Sequence, residues 1–162
     1  MLRQRIPTGK SAGGWRRTLL VLVAAVTPVV MAAPALAKDP MYTSRGLALS
    51  GYDAVAYFSD RKPVQGRPEF ATQWGGARWQ FASAATRDAF VKSPERYAPQ
   101  YGGYCAYAVS KGYTASADPM LWRVVEGKLY VNYSKSVQSL WEQDIPGNIN
   151  KADQNWPAAL TK

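Results

Sequence analysis

Histidine is absent from this 162-residue chain, and cysteine occurs once, as Cys105. Without histidine there is no Ser-His-Asp triad, no Cys-His pair and no imidazole-ligated metal. With one cysteine there is no internal disulfide and no four-thiolate zinc site. The chemistry left to the chain is that of one thiol, tyrosines, carboxylates and lysines. The first 37 positions also lack acidic residues, while Arg3, Arg5, Lys10, Arg16 and Arg17 make them basic.

That basic start runs into an apolar stretch, TLLVLVAAVTPVVMAAPALA, from Thr18 to Ala37, ending in the small-x-small pattern Ala35-Leu36-Ala37. Basic region, apolar core and cleavage pattern together predict a secretory signal peptide over residues 1–37. Pro28 and Pro34 interrupt the run, which argues against an anchor of about 20 apolar residues. The chain is therefore expected to be exported, periplasmic or secreted, touching a membrane only through the signal. Arg16-Arg17 hints at the twin-arginine route. The net charge is +9, and losing the five early basic residues leaves about +4. The remaining Lys and Arg alternate with Asp and Glu instead of forming a stripe, so no nucleic-acid partner is expected.

The mature piece has the length of one domain. It divides into a lead over 38–50, a domain over 51–157 and a tail over 158–162. LALSGYDAVAYF alternates, and Val55, Tyr57 and Phe58 favour a strand. EFATQW and ARWQFA flank Gly75-Gly76 and predict a hairpin. Ser83 is an N-cap for AATRDAFVK, with Ala85, Ala89 and Phe90 as its apolar face. Pro94 opens a short turn. YCAYAVSKG predicts a short helix stopped by Gly112. LWRVV and KLYVNY around Glu126-Gly127 predict a second hairpin. Ser134 caps a helix whose Val137, Leu140 and Trp141 lie on one face, and Ile145 to Trp156 predicts a last helix. Strands and helices mix without a βαβ rhythm, so the predicted class is α+β, with small antiparallel hairpins packed against short helices in one domain. No internal repeat and no low-complexity segment is read.

GYDAVAYF, FASAATRDAF (81–90) and SPERYAPQYGGYCAYAV resemble the exported branch of the YHS-domain family, from about Gly51 to Trp156. The resemblance implies a small αβ unit with a hairpin on a helix and an association with heavy metals, often copper. The family's thiolate pair at the strand–helix junction is replaced here by Ala82 and Thr86. Its Tyr-His-Ser element falls near Phe70-Ala71-Thr72, without the histidine, and Gly51-Tyr52-Asp53 stands for its Asp-Pro-x-Cys segment, without the thiol.

Cys105 is the remaining soft atom. In the first turn of a helix it is a nucleophile, a redox thiol or a ligand for Cu(I); packed among Tyr104, Tyr107 and Val109 it is a small core residue. Met120 and Asp118 are the candidate companions of Cys105 at a metal. The tyrosine-rich segments suggest a ligand pocket involving Asp53, Tyr57, Tyr104, Cys105, Tyr107 and Trp122. Asp53 and Asp118 are also weighed as an acid/base pair. The favoured reading is a non-catalytic binding module for a soft metal ion or a small ligand near Cys105. The alternatives are a thiol-dependent redox protein or enzyme, and a module whose tyrosine-rich face binds a protein partner or a second copy.

Overall fold

The computed structural model describes residues 37–162. The signal-peptide expectation lies outside the described residues. Two short strands, β1 (Thr43–Ser44) and β2 (Leu47–Ala48), are followed by a 3₁₀ turn at Leu49–Gly51 and helix α1 (Ala56–Ser59). The hairpin β3 (Arg67–Trp74) and β4 (Ala77–Phe81) leads to α2 (Ala84–Lys92) and α3 (Pro94–Tyr97). A second 3₁₀ turn, Gln100–Gly103, precedes α4 (Ala106–Ser110). The hairpin β5 (Asp118–Val125) and β6 (Lys128–Asn132) is followed by α5 (Lys135–Glu142), α6 (Ile145–Asn155) and a closing 3₁₀ turn, Ala158–Thr161. The strands form a mixed sheet in the order β1-β2-β4-β3 and a separate antiparallel pair β5-β6. The α+β class read from the sequence is the class observed.

The strand expected over LALSGYDAVAYF is corrected: only Leu47–Ala48 is strand, and Ala56–Ser59 is helical. Three successive left-handed residues, Leu49, Ser50 and Gly51, break the run, and Asp53 then caps a helix start. The β-prone side chains of Val55 and Tyr57 are overruled by this local hydrogen bonding. Leu140, placed on the apolar face of α5, is exposed, whereas Trp141 is fully buried. The fold also extends past the 51–157 boundaries. Lys38 N–H donates to the Leu160 carbonyl at 2.9 Å, and Ala159 and Leu160 are core residues.

The absence of a repeat is also corrected, because the described residues contain one hairpin–helix unit twice. The two hairpins have the same register. Arg67↔Phe81, Ala71↔Gln80, Thr72↔Trp79, Gln73↔Arg78 and Trp74↔Ala77 recur 51 positions later as Asp118↔Asn132, Trp122↔Val131, Arg123↔Tyr130, Val124↔Leu129 and Val125↔Lys128. Both carry a bulge at the same place, next to Pro68 and Pro119. Each hairpin's second strand receives a parallel partner, Leu47 on Arg78 and Pro99 on Leu129. The left-handed run Leu49-Ser50-Gly51 recurs as Tyr101-Gly102-Gly103. Ser83 and Ser134 cap α2 and α5 from matching backbone angles (φ −149°, ψ 165° and φ −145°, ψ 164°). Ser93 and Asp144 hold the N-cap positions of α3 and α6 at matching angles (φ −151°, ψ 65° and φ −150°, ψ 73°), and of the two only the Asp144 side chain accepts a cap bond, from the Gly147 N–H. The cores repeat as well: Trp79 packs on Phe90 with rings tilted by 35°, and Tyr130 on Trp141 by 37°.

Each hairpin buries one face on its own helix, as alternation along a strand requires. Trp79, Phe81 and Phe90 anchor the first core, and Tyr130, Trp141 and Val109 the second. Leu129 and Val131, on the other face of β6, enter the first core, so the two units share a seam.

Asp53 is the strongest test of this architecture. Its carboxylate is sealed and accepts three backbone N–H bonds, from Val55 (2.9 Å), Ala56 (3.4 Å) and Ala82 (2.9 Å). Asp53→Ala is expected to lower unfolding free energy by about 3 kcal/mol or more, because three donors, two of them buried, lose their acceptor together. Urea denaturation measures it; a loss below about 1 kcal/mol would contradict this role.

Candidate functional site

The two units place Asp53 and Cys105 in the same local position, each just after a left-handed run and a tyrosine. Asp53 N–H donates to the Val64 carbonyl (2.8 Å) and Cys105 N–H to the Ala115 carbonyl (3.0 Å). The Asp53 carboxylate gathers the N–H groups of Val55, Ala56 and Ala82. The N–H groups at the matching positions of the second unit, those of Tyr107, Ala108 and Tyr133, lie around the Cys105 sulfur and lower its pKa by less than burial raises it, and the Tyr107 N–H donates to Asn132 Oδ1. One backbone nest thus occurs twice, filled by a carboxylate in the first unit and by a thiol in the second.

Cys105 is sealed, at 1% exposure, and is the N-cap of α4 instead of lying in the helix's first turn. Its S–H donates to Asn132 Oδ1 at 3.7 Å, and the same oxygen accepts the Tyr107 N–H at 3.3 Å. Burial pushes the thiol pKa up, while the three N–H groups pull it down by less. A buried thiol held in its protonated form is a poor nucleophile.

The other expected site residues are dispersed. Tyr104 is buried in the second core and its hydroxyl donates to the Asp39 carbonyl at 2.8 Å. Tyr107 is half-buried beneath the Lys111 ammonium, 4.7 Å from its ring centre. Asp118 is exposed, and its carboxylate accepts the Met120 N–H at 2.8 Å, as in a local turn. Met120 is 54% exposed. A sealed thiol and an exposed thioether present no common surface to an ion, and Ala82 and Thr86 bring no thiolate to the strand–helix junction. Among the described residues no three Cys, Asp or Glu side chains gather as a metal site. The residues present therefore do not fit a copper ion. Both Asp53 oxygens are occupied by backbone N–H groups, so that carboxylate is committed to the fold and not to an acid/base pair with Asp118.

Tyr57 and Trp122 do come together. The Tyr57 hydroxyl donates to the Pro119 carbonyl at 2.9 Å, and burial, first among the causes, raises its pKa. Its ring meets Trp122 edge-on at 5.3 Å. Beside this pair opens a groove of about 330 Å³, lined by Tyr57, Phe58 and Arg61 from the first unit and Trp122, Arg123 and Val124 from the second. Sequence reasoning missed Phe58, Arg61, Arg123 and Val124. The alternation of Trp122 and Val124 along one strand face was the available signal; Arg61, in a turn, offers none.

A scan of protein-family models finds no match, and searches of curated proteins and of solved structures find none either. What fold and site define is a class: a single α+β domain made of two copies of a hairpin–helix unit, with an aromatic and basic groove between them.

Two measurements test this geometry. Cys105→Asp restores the residue that fills the equivalent nest, and is expected to lose no more than about 2 kcal/mol, against about 3–5 kcal/mol for a buried charge without donors, as in Val109→Asp. Equal losses in the two variants would refute the equivalence of the nests. Buried phenols set the alkaline limit: burial raises Tyr57, Tyr101 and Tyr130, the last to about 12, above the ordinary 10.0. A raised acid binds its proton more tightly folded than unfolded. Stability is therefore full below about pH 10 and falls as pH rises through the raised values. Urea midpoints from pH 8 to 12 report it, and a flat profile would contradict it.

Proposed function

We propose that this chain is an exported, YHS-type binding module without catalysis of its own, and that it holds a small ligand in the groove between its two units. The groove itself carries this reading. It draws residues from both copies, as ligand sites between structural units commonly do, and its volume lies at the lower end of the range for small-molecule pockets. Its walls combine rings with a few polar groups, the usual composition of such sites. The groups that catalysis would need are otherwise engaged: the thiol is sealed, Asp53 is saturated by backbone donors, and the Tyr57 hydroxyl is bonded to a carbonyl. The resemblance to the YHS family supports the module reading, and the departures from its thiolate pattern support a ligand other than copper.

A screen of small aromatic compounds against ¹⁵N-labelled protein tests the reading. Chemical-shift changes are expected to centre on the Trp122 indole N–H and the amides of Phe58, Arg123 and Val124, and to vanish in Trp122→Leu with the fold retained. Shifts confined to another surface, or no shifts at millimolar concentrations, would refute it.

A further inference from the structure

We infer that the groove selects a planar aromatic carboxylate, and that Arg61 is the residue that fixes its charge; this rests on the groove being the ligand site. The first observation is the charge balance. Arg61 and Arg123 are the charged side chains lining the groove, and no carboxylate lines it. Arg123 is already engaged, with Nη2 2.7 Å from Glu142 Oε1 and Nη1 donating to the Trp122 carbonyl at 2.9 Å. Arg61 makes no ion pair among the described residues, neither with the adjacent Asp60 nor with any other carboxylate. One guanidinium is left unneutralised at the edge of an apolar wall.

The second observation is conformational. Arg61 follows the C-cap of α1, Asp60, and has φ 53°. The same place after α4, beyond the C-cap Lys111, is held by Gly112 at φ 88°. A left-handed residue there suits glycine and strains arginine. The unit thus has a low-strain solution to this turn, used in one copy, while the other copy carries a strained cation facing the groove. Residues held in such backbone conformations cluster at ligand sites.

The third observation is where the two copies diverge. Trp122, Arg123 and Val124 stand at the hairpin positions that Ala71, Thr72 and Gln73 hold in the first unit. The groove wall is therefore a place where the two copies differ. Trp122 and Phe58 offer rings to a flat apolar body. A single planar guanidinium offers a two-pronged match to one carboxylate.

Calorimetric titration with 2-naphthoate and its neutral isostere 2-naphthamide tests the inference on wild-type protein and on Arg61→Gly. The wild type is expected to bind naphthoate about tenfold more tightly, the size of one charge-assisted hydrogen-bonded contact. Arg61→Gly is expected to lose that preference while its melting temperature stays level or rises, because glycine relieves the turn. Added salt is expected to erode the preference in the wild type. Equal affinity for the two compounds, with shifts in the groove, would overturn the charge selection and leave the groove as a binding site. A preference that survives Arg61→Gly would overturn the role of Arg61. Failure of both compounds to bind would overturn the inference together with the binding reading beneath it.

Discussion

Three backbone N–H groups converge at the start of each short helix, two from that helix and one from the strand end that enters the following long helix. In the first unit those of Val55 and Ala56 are buried, and a buried N–H needs an acceptor. In the first unit the Asp53 carboxylate answers all three and so ties α1 to the exit of β4 at Ala82. In the second the tie to the exit of β6 runs through Asn132, whose Oδ1 accepts both the Cys105 S–H and the Tyr107 N–H. Turn, helix and hairpin would otherwise be separate local structures, and the nest fixes their relative positions. The left-handed run before each nest brings the capping residue into place. Gly102 shows how tight that run is: a Cβ there would overlap the Pro40 carbonyl oxygen.

A carboxylate and a thiol fill the same nest with different consequences. The carboxylate is the stronger acceptor and its bonds are charge-assisted. The thiol accepts weakly, but it also donates, and Asn132 Oδ1 receives that donation. Asn132 occupies the place that Phe81 holds in the first unit, so the second nest has a polar neighbour where the first has an apolar one. Cysteine there is one half of a complementary pair with asparagine.

The elements governed by local rules were legible in the sequence. Ser83 and Ser134 announce α2 and α5, and the Gly75-Gly76 and Glu126-Gly127 turns announce both hairpins. The duplication was not. The copies share Gly-Tyr and two alanines after the left-handed run, a proline at the bulge, a glycine in the turn and a serine cap, while their core rings differ: Trp79 against Tyr130, Phe90 against Trp141. Backbone geometry is preserved where side-chain identity is not, because caps, turns and bulges need particular residues and cores need only volume and apolarity. The candidate site was half legible. Tyr57 and Trp122 stood out as aromatics, but nothing in the sequence tells Trp122, a half-buried ring on the groove, from Tyr57 and Tyr104, which are buried in the cores.

Duplication also accounts for where a site can arise. Two identical units would be bound by the same packing demands throughout. Trp122 and Val124, on the second hairpin's outer face, pack against the first core, while Arg123 between them pairs with Glu142 of its own helix, α5. Of the corresponding residues in the first hairpin, Thr72 and Gln73 border only a smaller cleft of about 80 Å³, closed by Phe90, Val91 and Pro94 of their own unit. The groove is thus a product of the asymmetry between the copies: shared positions hold the fold, and diverged positions line the cleft. Arg61 follows the same division. It stands, with a left-handed backbone, at the turn where the other copy has Gly112.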